Sequence, residues 1–184
     1  HRLIRRQRQM CIRDSSNVNI IEISDIPINN LYFNMGIDRA LAVFGAGITY
    51  SFPCLVIDAG TALTFTGVDQ HSTFIGGAIL PGLKLQFDSL SNKIQTLPNV
   101  DFPKRLPCQW SGNTMEAIKS GIIYTIVSGI KTFIDNWLIS YPRSHIILTG
   151  GDSIILYNYF IETDSNNFRK LKVCLLYTSD AADE

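Results

Sequence analysis

This chain has few of the residues that would announce a metal centre, a disulfide framework or a nucleic-acid surface. It contains four cysteines and three histidines in 184 residues. Cys11, Cys54, Cys108 and Cys174 lie far apart with no CxxC pair, so neither a zinc site nor a disulfide framework is signalled. Reduced thiols in a cytoplasm are the expectation. His71 and His145 have no acid or cysteine at ligand spacing and read as surface or packing residues. Sixteen basic and sixteen acidic residues cancel, which removes the electrostatic argument for a nucleic-acid partner. Long hydrophobic runs are missing too. The longest helical-looking stretch, Met115 to Tyr141, is broken by Glu116, Lys119, Lys131 and Asp135, and no secretory pattern is read, so no membrane association is expected.

What remains is a composition of 46% hydrophobic and 17% charged residues, that of a globular protein of one domain or a little more. The two ends differ from the rest. Residues 1–15 carry Arg2, Arg5, Arg6, Arg8 and Arg13 with little periodicity, and residues 174–184 close on Thr178-Ser179-Asp180-Ala181-Ala182-Asp183-Glu184. Both resemble translated adapter DNA and are expected to be non-native; the competing reading of the basic start is a nucleic-acid or membrane-surface arm.

The informative stretch runs from Cys54 to Thr66. Leu55-Val56-Ile57 is an apolar run that ends in Asp58, turns through Ala59-Gly60-Thr61, and resumes as alternating apolar and hydroxyl residues. That pattern predicts strand, tight turn, strand. Amides exposed in such a turn, with the Thr61 hydroxyl beside them, can cradle phosphate oxygens, and Asp58 can hold a cation next to the phosphate. A plain hairpin with an Asx-type turn is the alternative.

Around it the chain alternates. Residues 19–23 read as a short strand and Asp25 to Asn30 as a loop or a proline-broken edge strand. Leu41, Phe44 and Ile48 recur at helical spacing, placing Asp38 and Arg39 at a helix start. An acid suits that position and an arginine gains nothing there, so Arg39 is a candidate anion clamp. Thr73 to Leu80 forms a third strand whose Gly76-Gly77 pair suggests close approach of a backbone or ligand. A helix of about ten residues from Leu83 and a proline-bearing loop from Leu97 to Cys108, with Trp110 as a loop anchor, lead to a long helix. Asn113 or Thr114 caps it, and Ile118, Ile122, Thr125, Ile126, Gly129, Ile130, Phe133, Ile134, Trp137 and Leu138 trace its apolar face. His145 to Leu148 is a buried strand, and Thr149-Gly150-Gly151-Asp152 turns into another helix that can take phosphate or nucleotide.

Taken together, six segments resemble type III pantothenate kinases of the actin/sugar-kinase/Hsp70-like superfamily. They are Gly36-Ile37-Asp38-Arg39, Asp58-Ala59-Gly60-Thr61, Phe74 to Gly82, Thr96-Leu97-Pro98, Gly112-Asn113-Thr114 with Ser120-Gly121, and Thr149 to Asp152. The resemblance covers about residues 20–160. It implies an α/β, ribonuclease H-like fold: one near-complete domain at 51–173 and, at 16–50, the remnant of a second that carries the GxDR helix. It implies transfer of the ATP γ-phosphate to pantothenate with Mg²⁺ and a monovalent cation (K⁺ or NH₄⁺), in a cytoplasmic homodimer. Asp38 matches the catalytic acid, and Gly36, Ile37, Asp38 and Arg39 the pantothenate-binding segment. Thr114 matches a substrate contact made across the dimer interface. Asp58 matches the cation ligand, Gly60 and Thr61 the ATP-contacting turn, and Gly150 and Gly151 the adenosine end.

Two departures stand out. The family's first phosphate-binding hairpin, an Asp-x-Gly-Asn-Thr motif, is not found in the chain. The family tyrosine seven residues ahead of the GxDR glycine is Asn29 here, with Tyr32 four ahead. Truncation and little or no activity of this piece are therefore expected; either Tyr32 takes the tyrosine's role through a short deletion, or that contact is gone. The alternatives are a non-catalytic regulator on the same fold and a kinase of another small alcohol.

Overall fold

A computed structural model describes residues 21–94, 96–163 and 171–173. The basic start, the tail, Cys11, Cys174 and the first two residues of the expected 19–23 strand lie outside the described residues. Ile23–Asp25 is a 3-10 turn rather than strand. Pro27 follows closely, and a Pro lacks the N–H a ladder needs. Asn29 still makes an isolated parallel bridge to Thr73.

The elements are α1 (Ile37–Tyr50), β1 (Cys54–Ala59), β2 (Ala62–Val68), β3 (Phe74–Pro81), α2 (Leu83–Lys93), α3 (Thr114–Ser140), β4 (His145–Thr149), α4 (Ser153–Thr163) and β5 (Leu171–Val173). The strands form one sheet in the order β3-β2-β1-β4-β5. β1–β3 are an antiparallel meander, while β4 and β5 add in parallel on the other side of β1. Three-strand meander, helix, long helix, strand, helix is the order implied by the resemblance. β5, three residues long, was not expected from the sequence; its apolar signal is too short to stand out.

The sheet is covered on both faces. Leu55, Ile57, Leu63, Phe65, Ile146 and Leu148 face the core built with α2, α3 and α4. Cys54, Val56, Val68 and Ile147 face α1 and the Ile26–Met35 segment. α3 is long and apolar enough to cross a membrane by length and composition alone. Its buried residues Ile122, Ile123, Ile126, Val127, Ile130 and Ile134 spend that apolarity on the sheet. Asn113 caps it, its side chain accepting from Glu116 N–H at 3.0 Å.

Three expected faces are corrected. On α1 the buried side is Arg39, Ala40, Val43, Ala46 and Gly47, while Leu41 and Ile48 are 39% and 69% exposed. Small residues let α1 lie close to the sheet, and a Cβ on Gly47 would strike the Phe52 ring. On α3, Thr125 faces outward and Ile123 and Val127 inward, beside the expected stripe, while Phe133 is half-exposed with its ring stacked on Phe65 at 4.2 Å. Trp110 is 90% exposed and anchors nothing.

Candidate active site

β1 is the strand at which the sheet's order turns back: its neighbours are antiparallel β2 and parallel β4. In open α/β sheets, ligands bind outside the carboxyl ends of strands at such a point. Asp58 occupies that end. It pairs with Thr64 on β2 and Thr149 on β4, so the three side chains share the sheet face that α1 covers.

Two turns close over it. The β1–β2 turn runs through Gly60 and Thr61, with Gly60 N–H donating to Ala62 O at 3.1 Å. The β4–α4 turn is held against it, Asp152 N–H donating to Ala59 O at 2.9 Å. Gly150 makes this approach possible. Its φ is +93°, and a Cβ there would lie 2.5 Å from both Ala59 O and Asp58 Oδ1. The result is a cleft of about 350 Å³ lined by Asp58, Gly60, Thr61, Lys84, Gly150, Gly151 and Asp152. Two larger depressions, of about 650 and 570 Å³, lie along the Ile21–Ile37 segment and between α2 and the loop near Asp101. Neither combines glycine turns with strand-end acids.

The acids of this region are destabilised in their charged forms. Burial, and then the negative charge of Asp38, hold the Asp58 carboxyl above its ordinary pKa. Burial raises Asp152 as well. Asp38 thus lies close enough for Asp58 to feel it, although it does not line the cleft itself. It sits in the first turn of α1, where its Oδ1 accepts from Arg39 N–H at 2.9 Å. Gly36 is the N-cap, and a Cβ there would come within 2.5 Å of that same oxygen.

Arg39 is 7% exposed. Its Nε and Nη2 donate to Thr66 Oγ1 at 3.3 and 3.2 Å, Nη2 donates to Phe65 O at 2.9 Å, and Nη1 donates to Tyr32 OH at 2.9 Å. Among the described residues no carboxylate forms an ion pair with it. Its side-chain hydrogen bonds all go to neutral oxygens, which leaves its positive charge unspent. The approach of β3 to it depends on Gly77, where a Cβ would strike Phe65 O and lie 2.7 Å from Arg39 Nη2.

The fold thus gathers Asp58, Gly60, Thr61, Gly150 and Gly151 in one cleft, with Asp38 beside it, and Tyr32 against Arg39. Ile37 opens α1 next to Asp38. Thr114 stands apart: it is exposed at the start of α3 and does not line the cleft. Lys84 was missed by the sequence reading. Its signal was available, since a cation in the first turn of α2 gains as little from the helix dipole as Arg39 does on α1. Thr64 was missed as well; its Oγ1 is buried without a hydrogen-bond partner.

These residues fit two groups. The cleft between the two glycine turns, with the Thr61 hydroxyl at its edge, leaves room for phosphate oxygens. The oxygen-only donors at Asp58, with the unpartnered Thr64 hydroxyl in register beside it, suit a hard cation. Among the described residues no three His, Cys, Asp or Glu side chains cluster as a metal site, so such a cation would draw on hydroxyl, backbone or water oxygens.

The sheet order and its covering helices are those of an α/β domain with the ribonuclease H-like (actin/Hsp70) fold. In three dimensions the chain is similar to a protein from Campylobacter jejuni whose crystal structure is described as that of a conserved Baf family transcriptional activator. The two align with a TM-score of 0.58 over 90% of this chain and 70% of that one, at 23% identity, which establishes the fold alone. In sequence, the family model for type III pantothenate kinase matches residues 2–136. A type III pantothenate kinase of Nostoc sp. (strain PCC 7120) is 50% identical over 145 residues, covering 78% of this chain and 52% of that protein. One of Synechococcus sp. (strain JA-3-3Ab) is 43% identical over 150 residues, covering 80% and 62%. The chain belongs to the type III pantothenate kinase family and spans about half to three-fifths of the length of these relatives.

Proposed function

We propose that this chain is the greater part of an enzyme that phosphorylates pantothenate to 4'-phosphopantothenate, the first step towards coenzyme A. The observation that carries this reading is the pairing of Asp38 and Asp58 beside the glycine-lined cleft, with Arg39 buried and, among the described residues, free of a carboxylate partner. The pantothenate hydroxyl oxygen bonds to the γ-phosphorus while the bond from that phosphorus to the β–γ bridging oxygen breaks. Asp38 orients the hydroxyl in line and takes its proton. Positioning is its larger contribution, because phosphoryl transfer depends mainly on geometry and charge. Arg39, steadied by Tyr32, meets the pantothenate carboxylate along the Gly36–Arg39 segment. Gly60 and Thr61 hold the ATP phosphates, and Gly150 and Gly151 lie at its adenosine end. Mg²⁺ accompanying ATP offsets polyphosphate charge, and Asp58 holds a monovalent cation, K⁺ or NH₄⁺.

In this reading residues 16–50 belong to an N-terminal kinase domain and residues 51–173 form the C-terminal one. Thr114, remote from the cleft of its own chain, reaches substrate across a homodimer interface. The enzyme is cytoplasmic and needs neither nucleic acid nor membrane. This piece alone has little or no activity, because the first phosphate-binding hairpin supplies the other side of the clamp.

The test is turnover at the relatives' full length. Pantothenate, ATP, Mg²⁺ and K⁺ together should give phosphopantothenate, and Asp38→Asn should abolish turnover with the circular-dichroism spectrum and melting unchanged. Full activity of that variant removes Asp38 from the mechanism. Preference for a sugar or another small alcohol in a substrate panel replaces pantothenate as the acceptor.

A further inference from the structure

Among the described residues, two buried side-chain oxygens have no hydrogen-bond partner: Thr64 Oγ1 and Ser153 Oγ. Thr64 is the more telling. It is 8% exposed and lies directly across from Asp58 in the β1–β2 register. Cross-strand partners in an antiparallel pair hold their Cβ atoms roughly 4.5–5.5 Å apart on one face, near enough to share a ligand. On the same face, two residues along β2, the Thr66 hydroxyl oxygen accepts from Arg39 Nε and Nη2. Thr64, by contrast, keeps both its proton and its lone pairs idle.

An idle hydroxyl in a strand interior has a simple structural alternative. Valine has the same shape, favours strands at least as well and carries no polar atom to bury. Packing alone therefore gives no reason for an oxygen at this position. A ligand does. The register selects which kind: the Asp58 carboxylate stands directly across from Thr64. A carboxylate repels a phosphate oxygen and draws a cation, to which a hydroxyl offers its lone pairs.

We infer that Thr64 Oγ1 is a ligand of the cation held at Asp58, so that the site is a carboxylate–hydroxyl pair spanning β1 and β2 rather than Asp58 alone. The inference rests on the cation reading of Asp58 given above and adds a second oxygen from this chain. It makes the β1–β2 hairpin a rigid gauge of ion size, because both donors are fixed by one ladder of strand hydrogen bonds.

The experiment is thermal unfolding of the 184-residue chain in KCl, NH₄Cl and, at equal ionic strength, tetramethylammonium chloride, with Thr64→Val, Thr64→Ser and Asp58→Asn in parallel. The wild type should melt higher in KCl than in tetramethylammonium chloride. Thr64→Val should melt no lower than wild type in tetramethylammonium chloride yet lose most of the K⁺-specific rise, and Thr64→Ser should retain it. A K⁺ response kept in full by Thr64→Val but lost in Asp58→Asn overturns the Thr64 assignment and leaves the cation reading standing. No K⁺ response in the wild type, or one that survives Asp58→Asn, overturns the cation reading itself. Isothermal titration with thallium(I) nitrate, a heavy stand-in for K⁺, gives the same comparison without any need for turnover: a tenfold or greater loss of affinity in Thr64→Val is expected.

Discussion

Substitution of the two adjacent glycines of the β4–α4 turn should give opposite results. Gly150 has φ +93°, and a Cβ added to it would lie 2.5 Å from Ala59 O and Asp58 Oδ1. Left-handed backbone costs a non-glycine residue about 1–2 kcal/mol. Forcing atoms into a filled space adds about 1–3 kcal/mol, and here the nearest oxygen belongs to a strand and cannot swing aside. The two effects relax together, so Gly150→Ala should destabilise the chain by about 3 kcal/mol. For a protein of this size each kcal/mol moves the melting temperature by about 2–4 °C, giving a fall of about 6–12 °C. Gly151 has open space within 4 Å of the added Cβ, and its φ lies outside the left-handed range. Gly151→Ala should be neutral or stabilising by about 0.4–1 kcal/mol, because it narrows the unfolded ensemble. Differential scanning calorimetry of both variants, with urea unfolding as a check, measures the difference. Equal shifts, or a Gly150→Ala variant within a degree of wild type, would refute the claim that this turn is packed onto the Asp58 strand end.

Gly77→Ala should destabilise by about 1–3 kcal/mol in urea unfolding, since its Cβ would strike Phe65 O and crowd Arg39 Nη2. In the full-length enzyme it should also raise KM for pantothenate more than it lowers kcat; an unchanged KM would separate Arg39 from substrate binding. Asp58 gives a pH test. Its folded pKa is raised above 3.8, so the unfolded chain releases this proton first and the fold loses stability as pH climbs from 3.8 through the raised value. Asp58→Asn should therefore match wild type at pH 3 and melt higher at pH 7, in tetramethylammonium buffers free of K⁺, Na⁺ and NH₄⁺. A variant less stable than wild type at pH 7 would show that the ionised carboxylate has a stabilising partner.

Much of the molecule was legible because its signals are local. The run Leu55-Val56-Ile57 ending in Asp58, the Gly60-Thr61 turn and the Gly150-Gly151 turn all announce their geometry within a few residues, and the structure has each where expected. Helix positions were equally plain, but their buried faces were not. α1 hides Ala40, Val43 and Ala46 in place of the larger Leu41 and Ile48, because how closely a helix approaches a sheet decides which side is buried. Ambiguity between Asn113 and Thr114 as the cap ended only with a specific hydrogen bond to Glu116.

Apart from β5 and the Ile23–Asp25 turn, the amino-acid order alone determined the elements, their sequence along the chain and the residue types offered to a phosphate and a cation, since these follow from backbone preferences over short spans. Tertiary structure alone decided which of them meet. Strand register set Thr64 beside Asp58, the return of β4 alongside β1 set Gly150 against Ala59, and the packing of α1 gave Arg39 to Thr66, Phe65 and Tyr32. Those encounters join residues far apart in sequence, and their energies exist only once the chain between them has been ordered.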